Sequence, residues 1–218
     1  EKKIYMPNIT APVSEMKKRA DFVIKMGGEY VMVDIITLGF SALQEIRDYL
    51  DDKNVVIHAH RAMHAALTRN QRHGMSMLAI AKISRLIGMD QLHTGTAIGK
   101  MEGGKEEVVT INNIITNKTI EEIDYSNLHQ DWGNIKRTFP VASGGLYPNV
   151  VHKLIDILGK DIVIQAGGGV HGHPEGTEAG AKAMRQAVQA YLDNINLSEY
   201  AKTHNELKKA LEKWKYLK

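Results

Sequence analysis

Apolar positions along the chain switch repeatedly between two spacings, and this switching predicts alternating strands and helices. Short runs rich in β-branched residues indicate strands, because a strand buried on both faces is apolar at nearly every position. The clearest run is YVMVDII, at residues 30–36. The predicted strands are Ile4–Asn8, Tyr30–Ile36, Val55–His60, Gln91–Thr94, Pro140–Ser143 and Ile162–Ala166.

In most of the segments between these strands, the apolar residues recur at helical spacing. In the third helix the apolar residues recur every three or four positions, and Gly88 is placed to end it. Residues 102–137 are less regular, with one further strand predicted at Val108–Ile115. The predicted helices are Val13–Lys25, Ser41–Leu50, Asn70–Ile87, Asn149–Leu158 and Glu178–Leu192.

Repeated strand–helix units predict an α/β fold with a parallel sheet and right-handed crossovers. A doubly wound sheet and a β/α (TIM) barrel both fit this pattern. A closed barrel needs eight units and about 250 residues. If the fold is a barrel, it is incomplete by two units, and these are expected upstream. Near the end of the chain, Leu207, Leu211 and Trp214 form one apolar stripe among lysines, which predicts a terminal helix docked on the body. Membrane or partner binding is the alternative for this helix.

Composition narrows the class of protein. The 218 residues allow one large domain or two small ones, and 43% hydrophobic content supports a substantial core. A net charge of +3 from dispersed lysines does not favour nucleic acid, but it is compatible with a small anionic substrate.

No segment has the length of a membrane span or the pattern of a signal peptide. With no cysteine, disulfides and thiolate chemistry are excluded, and a cytoplasmic location is expected. Because the chain begins with Glu1, we expect an excised piece of a longer protein.

Donor-rich side chains follow the third predicted strand, in VVIHAHRAMHAALTRNQRHGM at residues 55–75. His58 and His60 lie two positions apart and therefore share one face, with Arg61 next along the chain. The carboxyl ends of parallel strands carry the active site in barrels and open sheets alike. Three interpretations are open: a histidine pair that binds zinc, a proton-transferring histidine beside an anion-binding arginine, or two structural histidines.

The next strand ends also carry candidate chemistry. QLHTGTAIGKMEGG, at residues 91–104, places His93 at a strand end and Lys100 in a glycine-rich loop, which is either a lid or an ordinary surface loop. PVASGGLYP and VIQAGGGVHGHPEG run from strands directly into glycines, whose backbone N–H groups can converge on an anion. Ser143 and glycines stand where a zinc hydrolase would need more ligands. Together these ends favour a substrate with two phosphate groups. Asp34, on an interior strand, is either an anchor for a histidine or a catalyst.

Four long motifs resemble one known family. HAHRAMHAALTRNQRHGM, LHTGTAIGKMEG, PVASGG and IQAGGGVHGHPEG are similar to the large subunit of ribulose-1,5-bisphosphate carboxylase/oxygenase (Rubisco), of the archaeal type. The resemblance runs in order from Ile4 to about Asn194. It implies a TIM barrel of which this chain holds strands three to eight. On that basis residues 1–195 are the C-terminal part of the barrel and residues 196–218 are a helical tail.

The resemblance implies a role for each matching residue. His60 corresponds to a histidine that moves protons, and Lys100 to the lid lysine that polarises the incoming gas and the new carboxylate. His58 and His64 match family positions that we interpret as supporting residues. The implied substrate-binding residues are Arg61 and His93 at one phosphate, Ser143 at a substrate hydroxyl, and Gly144, Gly145, Gln165, Ala166, Gly167 and Gly168 at that hydroxyl and the second phosphate.

The implied reaction is carboxylation, with accompanying oxygenation, of ribulose 1,5-bisphosphate to give 3-phosphoglycerate. The partners are therefore a sugar bisphosphate and CO2, and a homodimer is implied because family active sites form between subunits. The family holds Mg²⁺ with a carbamylated lysine, an aspartate and a glutamate in one motif after the second strand. That motif is not in this sequence, so the metal ligands are expected upstream, and the chain alone is expected to be inactive.

Two other functions remain open from the sequence. One is a Rubisco-like enolase or isomerase acting on a phosphorylated thio-sugar. The other is a non-catalytic barrel remnant that serves as a binding module. The lysine in GKMEG favours the carboxylase, because the enolase and isomerase relatives commonly depart from that pattern.

Overall fold

The computed structural model describes residues 3–70, 72–98, 104–122 and 127–215. The chain divides into two compact units. The first comprises Glu1–Thr94 and Thr110–Pro140, and the second comprises Gly95–Val109 and Val141–Lys218. Within the described part of the chain, no helix combines the length and the apolar character needed to cross a membrane.

Strands and helices alternate along most of the chain, as the sequence pattern predicts. The strands are β1 (Tyr30–Asp34), β2 (Val56–His60), β3 (Gln91–His93), β4 (Thr119–Ile120), β5 (Gln130–Asp131), β6 (Phe139–Ser143) and β7 (Val163–Gln165). The helices are α1 (Val13–Lys25), α2 (Ile35–Leu50), α3 (Ala65–Thr68), α4 (Met77–Ile87), α5 (Lys105–Thr116), α6 (Val151–Leu158), α7 (Gly168–His171), α8 (Gly176–Leu192), α9 (Leu197–Tyr200) and α10 (Asn205–Lys213).

The first unit is built on three parallel strands in the order β1, β2, β3. Alternate residues of β1 are fully buried, with Val31 and Val33 at 0% exposure. The helices α1, α2 and α4 contribute apolar faces to the same core, through Met16, Leu43 and Ile80 among others. The parallel α/β architecture expected from the sequence is therefore present.

The segment before α1 departs from its predicted strand, Ile4–Asn8. Only Asn8 forms a bridge, in parallel with Met32. The amide of Met32 donates to the carbonyl of Pro7, and the amide of Ile9 donates to the carbonyl of Met32. Proline has no N–H to add to a ladder, so pairing is confined to this short contact.

The predicted helix Asn70–Ile87 begins later than expected. Ser76 caps the N-terminus of α4 by accepting a hydrogen bond from the amide of Ala79 at 3.2 Å. Before it, Gly74 has a φ of 128°, and a Cβ at this position would lie 2.0 Å from the carbonyl oxygen of Leu67. That turn separates α3 from α4. The predicted C-terminus is correct, because Gly88 adopts the left-handed conformation that ends the helix.

The predicted strand Val108–Ile115 is wrong, because these residues form most of α5. Glu106 and Glu107 stand in its first turn, where carboxylates complement the helix dipole. Val108, Ile111 and Ile115 are buried at positions three and four residues apart, which is one helical face. The β-branched content of the segment favoured a strand, and packing of this face overrides that local preference.

The helix α2 starts at Ile35, so β1 ends at Asp34 rather than Ile36. Gly39, with φ 71° and ψ 166°, interrupts α2. The predicted helix Ser41–Leu50 is the part after this interruption.

The second unit pairs the end of β6 with β7 in parallel, in the register Val141↔Val163 to Ser143↔Gln165. Its core includes the apolar stripe predicted near the C-terminus. Leu207, on α10, is fully buried in a cluster with Val151 and Ala187, and Trp214 is 8% exposed. The terminal helix thus docks on its own unit.

A buried arginine joins two segments of the first unit. Arg85, on α4, is 2% exposed, and its guanidinium carbon lies 4.3 Å from the centre of the Trp132 ring. One terminal nitrogen donates to the carbonyls of Ile114 and Asn117, both at 2.7 Å. Its Nε donates to the carbonyl of Lys136 at 3.2 Å. This one side chain therefore satisfies carbonyls at the end of α5 and in the loop before β6.

We expect Arg85→Met to lower the free energy of unfolding by about 3 kcal/mol, because buried carbonyls lose their donors. Arg72→Met, on an exposed arginine of the same unit, is the matched control and is expected to change it by less than about 0.5 kcal/mol. Urea denaturation followed by circular dichroism gives both values. Equal losses in the two variants would contradict a structural role for the buried guanidinium.

Candidate active site

The register of the first unit brings polar side chains together at the carboxyl ends of its strands. Asp34 on β1 is paired with His60 on β2, and His58 on β2 is paired with Gln91 on β3. Paired residues of neighbouring strands project on the same face, and so do residues two apart on one strand. His93 therefore joins the same group. We call these five residues the histidine cluster.

Two imidazoles in the histidine cluster are almost completely buried. His58 is 1% exposed and His93 is 3% exposed. Their Nε2 atoms lie 2.7 Å apart, and Nδ1 of His58 lies 2.7 Å from Oε1 of Gln91. His93 also packs edge-on against His60, with ring centres 4.5 Å apart. These contacts hold both buried rings in one orientation.

Burial sets the charge of these rings. It is the largest cause that lowers the pKa of His93 to about 3, and the nearby charges of His58, His60 and Arg61 lower that pKa further. Burial also lowers the pKa of His58, against the opposing effect of its hydrogen bond to Gln91. Both rings are therefore neutral near pH 7. Each then has one N–H to donate and one lone pair to accept.

Asp34 anchors His60 in this structure. Its Oδ1 lies 3.1 Å from Nδ1 of His60, and both carboxylate oxygens accept from the side-chain amide of Asn8 at 3.3 Å. The backbone amide of Asp34 donates to the hydroxyl of Thr10 at 2.9 Å. Of the two roles left open for Asp34, the geometry favours the anchor.

The Nδ1 atom of His60 has two alternative partners. When protonated it donates to Asp34, and when unprotonated it accepts from the backbone amide of Ala62, at 3.2 Å. The ring therefore has a hydrogen-bond partner for Nδ1 in either tautomer.

Arg61 follows the histidine cluster directly and is half-buried. Its charge contributes, less than burial and the two other histidines, to lowering the pKa of His93. A guanidinium and imidazole N–H groups are the kinds of donor that bind an anion such as phosphate. The structure thus brings together two of the predicted site residues, His60 and His93, with Arg61 next to His60 along the chain.

The other predicted residues with described positions lie in the second unit. Ser143 and Gln165 are paired across β6 and β7, and the amide of Ser143 donates to the carbonyl of Gly95 at 3.3 Å. Gly144 and Gly145 follow with φ of 105° and 65°, a backbone conformation that side chains disfavour.

The glycine run after β7 has two open positions and one packed one. A Cβ at Gly167 or Gly168 would meet no atom within 4 Å, so a ligand can approach the backbone there. Ala166 precedes them, directly after β7. At Gly169, by contrast, a Cβ would lie 2.1 Å from the carbonyl oxygen of Leu146. This third glycine is required by packing within the unit.

Two of the buried oxygens without a hydrogen-bond partner among the described residues lie at or next to the ends of these strands. They are Oε1 of Gln165 and the hydroxyl of Thr94, which follows His93. Unpartnered buried acceptors at strand ends are positioned to receive ligand groups. Sequence reasoning missed Thr94, and it also missed Asn8, Thr10 and Gln91. The same-face spacing of Gln91 and His93 was the available signal for Gln91.

Lys100 lies outside the described residues. Across residues 3–70, 72–98, 104–122 and 127–215, no group of three or more histidine, aspartate or glutamate side chains is arranged to hold a metal ion.

Comparison with known proteins assigns the family. Residues 1–214 match the model of the ribulose bisphosphate carboxylase large chain, catalytic domain. The chain belongs to the Rubisco large-chain family. The resemblance read from the four motifs is confirmed.

Archaeal Rubisco proteins are similar to this chain over its whole length. It is 55% identical to the ribulose bisphosphate carboxylase of Methanocaldococcus jannaschii, over 99% of this chain and 50% of that relative. It is also 55% identical to that of Pyrococcus furiosus, over 100% of this chain and 49% of that relative. The chain thus spans about half the length of the curated relatives it matches.

Solved Rubisco structures share the fold. The octameric Rubisco of Pyrococcus horikoshii superposes with a TM-score of 0.90 at 52% identity, covering 100% of this chain and 48% of that one. The dimeric archaeal Rubisco of Hyperthermus butylicus gives 0.91 at 45% identity, covering 99% and 50%. The archaeal type expected from the sequence is therefore confirmed.

The low pKa of His93 predicts a pH-dependent stability. Below about pH 6.5 the unfolded chain protonates this histidine, whereas the folded chain does so only near pH 3. Stability from this group is therefore complete above about pH 6.5 and is lost as the pH falls. Between pH 7 and pH 5 the loss is about 2 kcal/mol.

Urea denaturation at the two pH values tests this. His93→Gln should reduce the pH-dependent loss by about 2 kcal/mol. His129→Gln, at an exposed histidine of the same unit, should leave it unchanged. The assignment fails if the two variants lose stability equally between pH 7 and pH 5.

Proposed function

We propose that this chain is the C-terminal part of the catalytic barrel of a ribulose-1,5-bisphosphate carboxylase/oxygenase. The reaction adds CO2, or alternatively oxygen, to ribulose 1,5-bisphosphate, and carboxylation yields 3-phosphoglycerate. The observation that carries the proposal is the match over residues 1–214, in a chain whose strand ends β2 and β3 bring His60 and His93 together, with Arg61 next along the chain. Relatives of this chain at 50–55% identity are named ribulose bisphosphate carboxylase.

In this proposal the first unit binds one phosphate and moves protons. Arg61 and His93 bind the phosphate, through a guanidinium and an imidazole N–H. His60 transfers protons in the later steps, with Asp34 holding its Nδ1 at 3.1 Å. Fixing the imidazole by its far nitrogen directs the other nitrogen for transfer and avoids reorganisation during the reaction.

The second unit carries the residues that the family resemblance assigns to a substrate hydroxyl and to the second phosphate. Ser143 hydrogen-bonds a substrate hydroxyl. The backbone of Gly144 and Gly145, together with the segment Gln165–Gly168, contacts that hydroxyl and the second phosphate. The open space above Gly167 and Gly168 supports this role, because a bulky anion can reach the backbone there.

Lys100 supplies a cation to the developing charge. Enolisation of a sugar bisphosphate builds an enediolate, and addition of CO2 builds a carboxylate. Both anions are stabilised by a preorganised ammonium group. A lid that carries this lysine also excludes water from the reactive enediolate.

The proposed barrel and its assembly extend beyond this chain. Residues 1–195 form strands three to eight of the TIM barrel, and residues 196–218 form the tail. Mg²⁺ is bound by residues upstream of this sequence, so this part alone is inactive. The complete protein is a cytoplasmic homodimer or higher homo-oligomer, as the dimeric and octameric solved relatives suggest. An enolase or isomerase of a thio-sugar is less favoured, because the similar relatives are named as carboxylases.

Assay of 3-phosphoglycerate formation from ribulose bisphosphate and CO2 tests the proposal, on the full-length protein that contains this sequence. His60→Ala and Lys100→Ala should each lower the rate by at least about 100-fold, since each removes a group that stabilises the reaction's charge or moves its proton.

His129→Ala and Lys118→Ala change exposed residues of the first unit and serve as matched controls with nearly unaltered rates. Full carboxylation in Lys100→Ala would refute the proposed role of the lid. Absence of carboxylation in the unaltered full-length protein would favour the enolase or the non-catalytic module.

A further inference from the structure

We propose that the helical tail positions the backbone assigned to the second phosphate, through contacts of α10 with His173 and through Trp214, directly after α10. Both are positioning residues, because they act on the glycine turns rather than on the substrate. The inference rests on the proposed function, in which Gly144, Gly145 and Gln165–Gly168 contact a substrate hydroxyl and the second phosphate.

The helix α7, which begins at Gly168, is too short to keep its shape alone. It has four residues, and an isolated helix of that length is unstable because nucleation is unfavourable. Close packing supports it on two sides. A Cβ on Gly169 would lie 2.1 Å from the carbonyl oxygen of Leu146. A Cβ on Gly180, in α8, would lie 2.0 Å from the carbonyl oxygen of Val170. The position of α7 therefore depends on its neighbours.

His173 attaches the end of α7 to α10. Its Nε2 lies 2.9 Å from the carbonyl oxygen of Glu206, on α10, and its Nδ1 accepts from the backbone amide of Glu175 at 3.1 Å. A carbonyl can only accept and an amide N–H can only donate, so the ring carries its proton on Nε2. The residue is 5% exposed. One ring nitrogen therefore serves the local turn, and the other joins this turn to the tail.

Gly172, directly after α7, makes two further contacts with the tail. Its carbonyl accepts from Nζ of Lys213, the last residue of α10. A Cβ at Gly172 would lie 3.6 Å from the ring of Trp214. Close by, Lys209 forms an ion pair with Glu175. The tail is therefore attached to the end of α7 at several points.

Trp214 also contacts the segment that carries the other glycine turn. Its ring stacks on that of Tyr147, with centres 5.8 Å apart and planes inclined by 18°. Tyr147 follows Gly145 by two residues. The indole is almost completely buried, in a cluster with Ala183 and Ala210. One side chain thus lies against both segments whose backbone is assigned to the second phosphate.

This support should affect binding of substrate rather than the chemical steps. Backbone N–H groups bind an anion tightly when they are held in place before it arrives. A phosphate remote from the reacting atoms is bound equally well before and during the reaction. Loosening its site therefore raises KM and leaves kcat nearly unchanged. A loss of folded protein lowers the apparent kcat instead, so the two causes can be separated.

Two substitutions of His173 separate its two hydrogen bonds, in the full-length protein that contains this sequence. His173→Asn keeps an acceptor for the amide two residues ahead, as in an Asx turn, but is too short to reach Glu206. His173→Leu removes both bonds. We expect both variants to raise the KM for ribulose bisphosphate by about 10-fold, with kcat changed by less than about 2-fold. An unaltered KM in His173→Asn overturns the role of the bond to α10.

A matched pair of lysines tests the tail itself. Lys213→Met and Lys208→Met each remove one positive charge from α10, so each weakens long-range attraction of an anion to a similar extent. Only Lys213 contacts Gly172. Lys213→Met should therefore raise KM by about 3-fold more than Lys208→Met. Equal KM values in the two variants overturn the contribution of this contact.

Hydrogen exchange in the ligand-free full-length protein measures the positioning without turnover. Amides of residues 166–173 should exchange faster in His173→Asn and in Trp214→Leu than in Lys208→Met. Equal exchange in the three variants overturns the inference, and so does a lowered kcat with an unchanged KM. Absence of carboxylation in the unaltered full-length protein contradicts the proposed function instead, and the exchange rates then still decide whether the tail holds these turns.

Discussion

The parallel register of β1, β2 and β3 is the constraint on which the candidate site depends. It sets Asp34 beside His60 and His58 beside Gln91, and the two-residue period of a strand then brings His93 into the same group. A shift of one residue in either pairing would move these side chains to opposite faces of the sheet. Apolar burial of the alternate residues, such as Val31 and Val33 on β1, opposes such a shift. The same packing that stabilises the unit therefore positions its chemistry.

Burial also determines how the site can act. Burial disfavours a positive charge on His58 and His93, the two nearly inaccessible imidazoles of the histidine cluster. These rings therefore offer lone pairs and N–H groups rather than positive charge. The positive charge next to these rings along the chain is the guanidinium of Arg61. Such a combination suits binding of a phosphate, because the cation attracts the anion and the neutral rings form directional hydrogen bonds to it. Buried polar networks of this kind are rigid when every member has a partner.

The sequence predicted most of the strands and helices, and it predicted which strand ends carry chemistry. The spacing of His58 and His60 sufficed to place them on one face. The partners of these histidines depend on which residues of another strand lie opposite, and a single strand's pattern does not contain that information, so Gln91 was missed. Local preference failed where tertiary packing decides, as in α5, whose β-branched residues form a helical face. Serine is a common N-cap residue, so Ser76 is a sequence signal for the start of α4. The longer apolar periodicity instead led to a predicted start at Asn70.

The most direct test of this account is a crystal structure of the full-length protein with a bound bisphosphate analogue of ribulose bisphosphate. The account predicts one phosphate within about 3 Å of both the Arg61 guanidinium and a ring nitrogen of His93. A phosphate bound away from Arg61 and His93, with the histidine cluster unchanged and untouched by ligand, would contradict it.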